Sequence, residues 1–255
     1  MEVGLHEARG FGVMSVDRAG RILAFEEKPS EPGALPENPD CALASMGIYV
    51  FNRDLLLDEL VRDSKDNDSS HDFGHDILPR LIDEQRVYAY PFGSLEGRVS
   101  QDRYWKDVGT LDAYYDANIA MLDPVPPLNL YQRDWPIRSY TAQSPPARTV
   151  PGEEGYDGVI YNASLAGGVV INGGVVRHSI LSAWVRLEHA SVVEDSILFD
   201  NVTVGAGAKL KRCIVDKHVR IPEGESIGYD LERDRQRFTV SENGVVVVGR
   251  RAVFD

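Results

Sequence analysis

The fold turns on the stretch Val169-Val170-Ile171-Asn172-Gly173-Gly174-Val175-Val176-Arg177-His178-Ser179-Ile180-Leu181-Ser182-Ala183-Trp184-Val185-Arg186-Leu187-Glu188-His189-Ala190-Ser191-Val192-Val193-Glu194-Asp195-Ser196-Ile197-Leu198-Phe199. Every sixth residue from Val169 is apolar: Val169, Val175, Leu181, Leu187, Val193 and Phe199. An overlapping frame runs through Val192, Leu198, Val204 and Leu210 and, after a slip of one residue, through Val215, Ile221 and Ile227. Small or turn-forming residues separate these positions, as in Gly167-Gly168, Asn172-Gly173-Gly174, Gly205-Ala206-Gly207 and Pro222-Glu223-Gly224. A period of six predicts a parallel β-helix, with three short strands per triangular coil and about 18 residues per turn. An antiparallel β domain would instead alternate with period two and turn every ~8–12 residues. Gly244-Val245-Val246-Val247-Val248-Gly249 reads as a strand that caps the open end, because solenoids need atypical terminal repeats.

Outward from the repeat, three regions follow: an α/β domain over residues 1–122, a proline-rich connector over 123–155, and the β-helix over 156–255. In the first, Phe11–Asp17, Arg21–Phe25 and Met46–Phe51 read as strands from their β-branched and aromatic content. The strand Phe11–Asp17 has almost nothing before it. Asp54–Val61, with leucines at 55, 56, 57 and 60, predicts a helix with an apolar face. Thr110 is placed to cap a helix running through Leu111, Tyr114, Ala117, Asn118 and Met121, with Asp112 in its first turn. In the connector, Pro124, Pro126, Pro127, Pro136, Pro145, Pro146 and Pro151 exclude continuous helix or central strand. Trp135, Ile137 and Tyr140 interleave with them, which predicts a segment packed on neighbouring surfaces.

The composition narrows function. With 255 residues, 43% hydrophobic and 26% charged, the chain is globular in character. Its 27 Lys and Arg against 40 Asp and Glu give a net charge of −13, which argues against nucleic acid or an anionic membrane as partner. A local basic pocket for a small phosphorylated ligand is compatible with that charge. Two cysteines, Cys41 and Cys213, cannot form a disulfide framework or a four-thiolate zinc site. Met1-Glu2-Val3-Gly4-Leu5-His6 has neither a basic n-region nor an apolar h-region, so a cytoplasmic location is expected, or a plastid one where a transit peptide is absent.

Further stretches are more specific. They are Phe25-Glu26-Glu27-Lys28-Pro29, Ala44-Ser45-Met46-Gly47-Ile48-Tyr49-Val50-Phe51, Ser69-Ser70-His71-Asp72-Phe73-Gly74-His75-Asp76-Ile77-Leu78-Pro79 and Tyr104-Trp105-Lys106-Asp107-Val108-Gly109-Thr110. Last come Tyr131, Trp135-Pro136-Ile137-Arg138-Ser139-Tyr140 and Pro145-Pro146-Ala147. In this order and spacing, from about Glu7 to Arg250, they resemble glucose-1-phosphate adenylyltransferases of the bacterial glycogen-synthesis type. The resemblance implies a partial, Rossmann-like nucleotidyltransferase domain followed by a left-handed parallel β-helix. It also implies a reaction in which ATP and α-D-glucose 1-phosphate give ADP-glucose and pyrophosphate, for glycogen or starch synthesis. The family's glycine-rich G-G-G-x-G-T-R-L-x-x-L-T segment is not in this sequence. The chain alone is therefore expected to be inactive or severely impaired, because ATP has no phosphate cradle; a pyrophosphate-release assay reads this.

The family correspondence also implies roles for single residues. Lys28 is a point charge for the sugar phosphate and Glu27 an acceptor for glucose hydroxyls. Ser45 donates to the sugar, and Tyr49, Asp72, Phe73 and Trp105 surround it. Asp107 offers a hard oxygen to Mg²⁺, which would bridge phosphates. Lys28 and Asp107 are expected to converge on one phosphate. Neighbours in a regular strand face opposite ways, so Glu27 and Lys28 can serve one ligand only through a backbone irregularity, for which Pro29 gives a reason. Without the resemblance, the same residues read as a solvated charge pair, a structural hydroxyl, a helix-start carboxylate and core aromatics.

Lys217 and Arg250 correspond to positions that bind phosphorylated allosteric effectors, and Phe254 stands where relatives often carry a further arginine. A homotetramer is implied, with no nucleic acid or membrane partner. His178, His189 and His218 lie 11 and 29 residues apart, which matches no multiple of an 18-residue coil, so structural roles are expected, as for His71 and His75. Two other functions remain: a non-catalytic interaction subunit of a complete relative, and a hexapeptide-repeat acyltransferase. The second gives the Glu27-Lys28-Pro29 and Trp105-Lys106-Asp107 stretches no purpose.

Overall fold

The computed structural model describes residues 1–92, 104–133, 136–138, 140, 143–152 and 158–254. The chain forms two compact units, Met1–Trp105 and Lys106–Asp255.

The first unit is built on a four-stranded antiparallel sheet of β1 (Glu2–Gly4), β2 (Gly12–Val16), β3 (Ile22–Glu27) and β4 (Cys41–Ala44), in the order β1-β4-β2-β3. The strand expected at Phe11–Asp17 is β2, but it does not open the domain. β1 and the short helix α1 (Leu5–Ala8) precede it, and Val3 and Ala8 join Val13, Ala42 and Ala44 in a buried cluster. The strand expected at Met46–Phe51 is not one. The ladder stops at Ala44 because Ser45 folds the chain over: its hydroxyl accepts the Gly47 N–H (3.2 Å) and Gly47 takes φ +68°. The apolar residues that suggested a strand are left outside any sheet, and Val50 is 98% exposed.

α2 (Arg53–Asp63) forms as expected, but its leucine stripe is not its buried face. Leu57 and Leu60 are exposed, whereas Glu59 and Asp63 are buried. Glu59 is held by Arg80 at 2.8 Å from α3 (Leu78–Glu84), so charge-assisted hydrogen bonds replace apolar packing on this face. α3 follows a single π-helical turn, Phe73–Ile77, and buries Leu78, Leu81 and Ile82.

The second unit starts with α4 (Leu111–Ile119), capped by Thr110, whose hydroxyl accepts the Ala113 N–H at 3.1 Å. Tyr115 is buried among Ile197, Ile214 and Val245, donates to the Asp195 carbonyl at 2.6 Å and lies 4.9 Å beneath the Arg212 guanidinium. α4, which the sequence reading grouped with the first domain, thus packs on the solenoid. Of the connector, Ile137 and Tyr140 are exposed rather than packed, and Trp135 lies outside the described residues. From Pro145 the chain docks: the Pro145 carbonyl accepts the Gly168 N–H at 2.7 Å, and β5 (Arg148–Val150) already pairs with the strand Val170–Asn172.

The repeat is a three-faced parallel β-helix. One face stacks β5, β8 (Val170–Asn172), β11 (Arg186–Leu187), β14 (Thr203–Val204) and β17 (Arg220–Ile221). The next stacks β6 (Val159–Tyr161), β9 (Val175–Arg177), β12 (Val192–Glu194), β15 (Lys209–Lys211) and β18 (Ser226–Ile227). The third stacks β7 (Ser164–Leu165), β10 (Ile180–Leu181), β13 (Ile197–Leu198), β16 (Cys213–Val215) and β20 (Val246–Val248). As expected, Gly244–Gly249 closes the stack. β20 is the last rung of its face, and β19 (Thr239–Val240) pairs antiparallel along its outer edge, following α5 (Leu231–Arg237).

The coil is shorter than three hexads. Val175 pairs with Val192, Val192 with Lys209 and Lys209 with Ser226, a repeat of 17 residues, and Val159 pairs with Val175 after 16. The side from the second face to the third takes five residues, as from Val192 to Ile197, while Arg186 to Val192 and Ile197 to Thr203 take six. A strict six-residue frame therefore drifts. Val176 and Leu198 fill the core positions, and Phe199 turns out to meet Tyr114 edge-on, 6.4 Å between centroids. Each corner is a column of left-handed residues: Gly168, Trp184, Asn201, His218; Gly173, Ala190, Gly207, Gly224; and Asn162, His178, Asp195, Arg212, Gly228. His178 and His218 are thus corner residues, and His178 Nδ1 lies 2.7 Å from Asp195 Oδ1 one coil on. Among the described residues no helix is long and apolar enough to cross a membrane.

Candidate active site

β3 ends at Glu27, and the next residue breaks its alternation. Lys28 has φ +49°, a conformation sparsely populated by residues other than glycine, with its N–H donated to the Phe11 carbonyl at 3.0 Å and Pro29 following. The turn brings Lys28 back to the side of Glu27, with Nζ 3.8 Å from Glu27 Oε1. The ammonium is two-thirds exposed and the carboxylate about one-quarter, so a positive charge stands beside an acceptor at the edge of the sheet.

Next to this pair, β4 runs out into Ser45, whose N–H is donated to the Gly12 carbonyl at 2.7 Å. The hydroxyls of Ser45 and Tyr49 are 3.0 Å apart. The Tyr49 ring stacks on Phe73 at 6.0 Å, and Phe51 closes the group at 6.4 and 5.9 Å from the two. Desolvation pushes the Tyr49 phenol above its ordinary value, the Ser45 hydrogen bond opposes this, and the negative charges of Glu27 and Asp72 add to it. Tyr49 therefore stays a neutral donor. Asp72 caps the π-helical turn: its Oδ1 accepts the N–H groups of Gly74 (2.8 Å) and His75 (2.9 Å). Trp105 packs edge-on against Phe11 at 5.2 Å, joining the element that anchors Lys28.

The first unit thus brings Glu27, Lys28, Ser45, Tyr49, Asp72 and Phe73 into one neighbourhood of aromatic rings and polar tips, with Trp105 attached through Phe11. Phe51 escaped the sequence reading, because inside a supposed strand an aromatic reads as core. Asp107 belongs to the other unit, where it is exposed and accepts the Gly109 N–H at 3.3 Å through Oδ2. Among the described residues no group of three or more His, Cys, Asp or Glu could hold a metal ion by itself. A lone carboxylate does fit a Mg²⁺ that takes its remaining ligands from water and substrate phosphates.

In the solenoid, the side chains of Lys217 and Arg250 pair with different carboxylates, Asp200 and Asp216. Asp216 accepts the Lys217 N–H at 2.7 Å and lies 3.4 Å from Arg250 Nε, while Lys217 Nζ is 3.8 Å from Asp200. Phe254 packs on Phe238 at 6.0 Å.

Two aspartates order the segment that carries Asp72 and Phe73. Asp76 accepts from the Ser70 hydroxyl (2.5 Å) and the Asp72 N–H (3.1 Å), with His75 Nδ1 at 3.1 Å; these bonds hold its carboxyl far below the usual carboxylate range. Asp63 is lowered from its ordinary 3.8 first by the Ser69 hydroxyl and then by His71 Nδ1, each at 2.7 Å. A depressed carboxyl contributes its stability above the unfolded-state value and loses it as pH falls toward the folded one. The thermal midpoint of the chain should accordingly drop as pH falls below about 4, and Asp63→Asn with Asp76→Asn should flatten that drop. Parallel curves for the two proteins would mean that the bonds carry no such linkage.

Comparison with known proteins accords with this layout. Residues 1–123 match the family model for nucleotidyl transferases, and residues 145–248 match the model of the GlmU-like C-terminal hexapeptide. The class is therefore a nucleotidyl transferase domain joined to a hexapeptide-repeat solenoid. The chain is 53% identical over 248 residues to "Glucose-1-phosphate adenylyltransferase 2" of Vibrio cholerae, covering 97% of this chain and 61% of the relative. It is 48% identical over 249 residues to the glucose-1-phosphate adenylyltransferase of Methylobacillus flagellatus, covering 97% and 58%. Nearly its whole length thus aligns with glucose-1-phosphate adenylyltransferases, and it spans about three-fifths of the length of these curated relatives.

Proposed function

We propose that the chain supplies the sugar-phosphate side and the solenoid of an enzyme that makes ADP-glucose and pyrophosphate from ATP and α-D-glucose 1-phosphate, in glycogen or starch synthesis. The observation that supports this most is the left-handed Lys28, which sets an ammonium and a carboxylate on the same side of a strand end. Such a pair matches a ligand with a phosphate dianion at one end and hydroxyls at the other.

In the reaction, an oxygen of the sugar phosphate attacks the α-phosphorus of ATP and the bond to pyrophosphate breaks in line. No protein nucleophile is required, so alignment and charge neutralisation carry the rate. Lys28 holds the sugar phosphate and offsets its charge. Glu27 accepts from glucose hydroxyls, Ser45 and Tyr49 donate to them, and Tyr49, Phe73 and Trp105 supply the apolar wall against the sugar ring. Asp107 would hold a divalent metal, Mg²⁺, whose chemistry is to offset phosphate charge. Lys217 and Arg250 are the proposed contacts for phosphorylated effectors, in a cytoplasmic homotetramer.

Calorimetric titration of the 255-residue chain tests the sugar-phosphate site. It should bind α-D-glucose 1-phosphate at least about tenfold more tightly than inorganic phosphate or glucose alone, since both ends of the ligand are engaged. Equal affinity for inorganic phosphate and glucose 1-phosphate would remove the sugar-binding role.

A further inference from the structure

The Glu27 carboxylate is held by space rather than by hydrogen bonds. Among the described residues, Lys28 at 3.8 Å is its ion-pair partner, the Asp72 carboxylate lies on the other side of Gly74, and no protein group donates a hydrogen bond to it. What surrounds it is the missing side chains of two glycines. A Cβ on Gly74 would stand 2.5 Å from Glu27 Oε2, 3.1 Å from its Cδ and 3.3 Å from Asp72 Oδ1. A Cβ on Gly12 would stand 2.8 Å from the same Oε2. The carboxylate thus lies between β2 and the π-helical turn in a slot that exists because neither element carries a side chain there, and its lone pairs are left for a ligand.

We infer that Gly74 is a positioning residue for sugar recognition: its lack of a side chain fixes where Glu27 presents its carboxylate. This rests on the reading that Glu27 receives glucose hydroxyls. Gly74 shows no left-handed backbone requirement, and alanine is the better former of helical turns, so the glycine is not explained by local conformation. The atom an added Cβ would meet first is the far end of a flexible side chain, which gives way more readily than backbone. Substitution there moves the carboxylate and spares the fold. Gly12 offers no such separation, because its Cβ would also run into the Phe25 ring.

The test uses Gly74→Ala, Glu27→Asp and the double variant of the full chain. Calorimetry follows α-D-glucose 1-phosphate and inorganic phosphate, with the thermal midpoint and the crystal structure of Gly74→Ala beside it. Gly74→Ala should keep or raise the thermal midpoint, keep its affinity for inorganic phosphate, and lose about tenfold in affinity for glucose 1-phosphate. Aspartate is one methylene shorter and clears the new Cβ, so the double variant should recover about threefold or more over Gly74→Ala, although Glu27→Asp alone weakens binding. Wild-type affinity in Gly74→Ala, or no recovery in the double variant, would overturn the inference. If the wild-type chain binds no glucose 1-phosphate, the sugar reading of the site fails instead. The slot then stands or falls on whether the carboxylate is displaced in the Gly74→Ala structure.

Discussion

Lys28→Gln is expected to weaken binding of α-D-glucose 1-phosphate by about thirty- to hundredfold while leaving the thermal midpoint of the chain nearly unchanged. The ammonium is 66% exposed and, among the described residues, its ionic neighbour is the carboxylate next to it at 3.8 Å, so the folded chain gains little from that pair. A phosphate dianion is a different partner. A hydrogen bond between charged groups contributes about 2–3 kcal/mol when formed at close range, which is the source of the expected factor. Lys28→Arg should recover only part, because a planar fork does not occupy the position of a point charge. Binding should weaken with ionic strength in the wild type and much less in Lys28→Gln. A twofold loss would reduce Lys28 to a surface charge on a strained turn.

The second large effect belongs to the solenoid. Gly228→Ala should destabilise the chain by about 3–5 kcal/mol, combining the left-handed penalty with overpacking against backbone. Gly228 has φ +85°, and a Cβ there would collide with the Lys211 carbonyl oxygen, with the Lys211 carbon at 2.8 Å and the Cys213 Sγ at 3.4 Å. That carbonyl belongs to β15 and accepts the Cys213 thiol at 3.1 Å, and the Gly228 N–H is tied to Asp234 Oδ2 at 2.8 Å, so both sides are held in place. Gly207 and Gly224 are the controls. Both are left-handed corners, φ +67° and +69°, with nothing within 4 Å of an added Cβ. Alanine at either should cost only about 1–2 kcal/mol. Thermal denaturation of the three variants separates strain from collision, and equal shifts would show that the Gly228 corner relaxes.

The solenoid was legible because its signal is periodic and its core positions are nearly all apolar. The one-residue slip between Leu210 and Val215 was the trace of the five-residue side, and a frame of six had no means of placing it at a particular corner. The first unit was harder. Met46–Phe51 has strand composition, yet composition reports a preference for burial, and here Ile48 and Val50 are exposed beyond the end of the ladder. The leucines of α2 misled for the same reason, since Glu59 and Asp63 take the covered face through Arg80, Ser69 and His71. At the candidate site, Pro29 marked the end of the strand, but a proline steers its predecessor toward extended backbone, so the left-handed turn at Lys28 was not legible from it. Phe51 and the slot at Gly74 were hidden, since one depends on a turn at Gly47 and the other on an absence.

The 17-residue spacing of the solenoid bears on how such a chain can change length. From Val175 to Ser226 each rung recurs at the same interval, so a duplication or loss of one whole segment such as Val192–Ala208 returns the backbone to the corner it left, with every inward residue still inward. A single inserted codon within a rung does the opposite, because it turns the following side chains outward until a corner absorbs it. Heritable variation in this region is therefore quantised, tolerant of large symmetric steps and intolerant of the smallest ones.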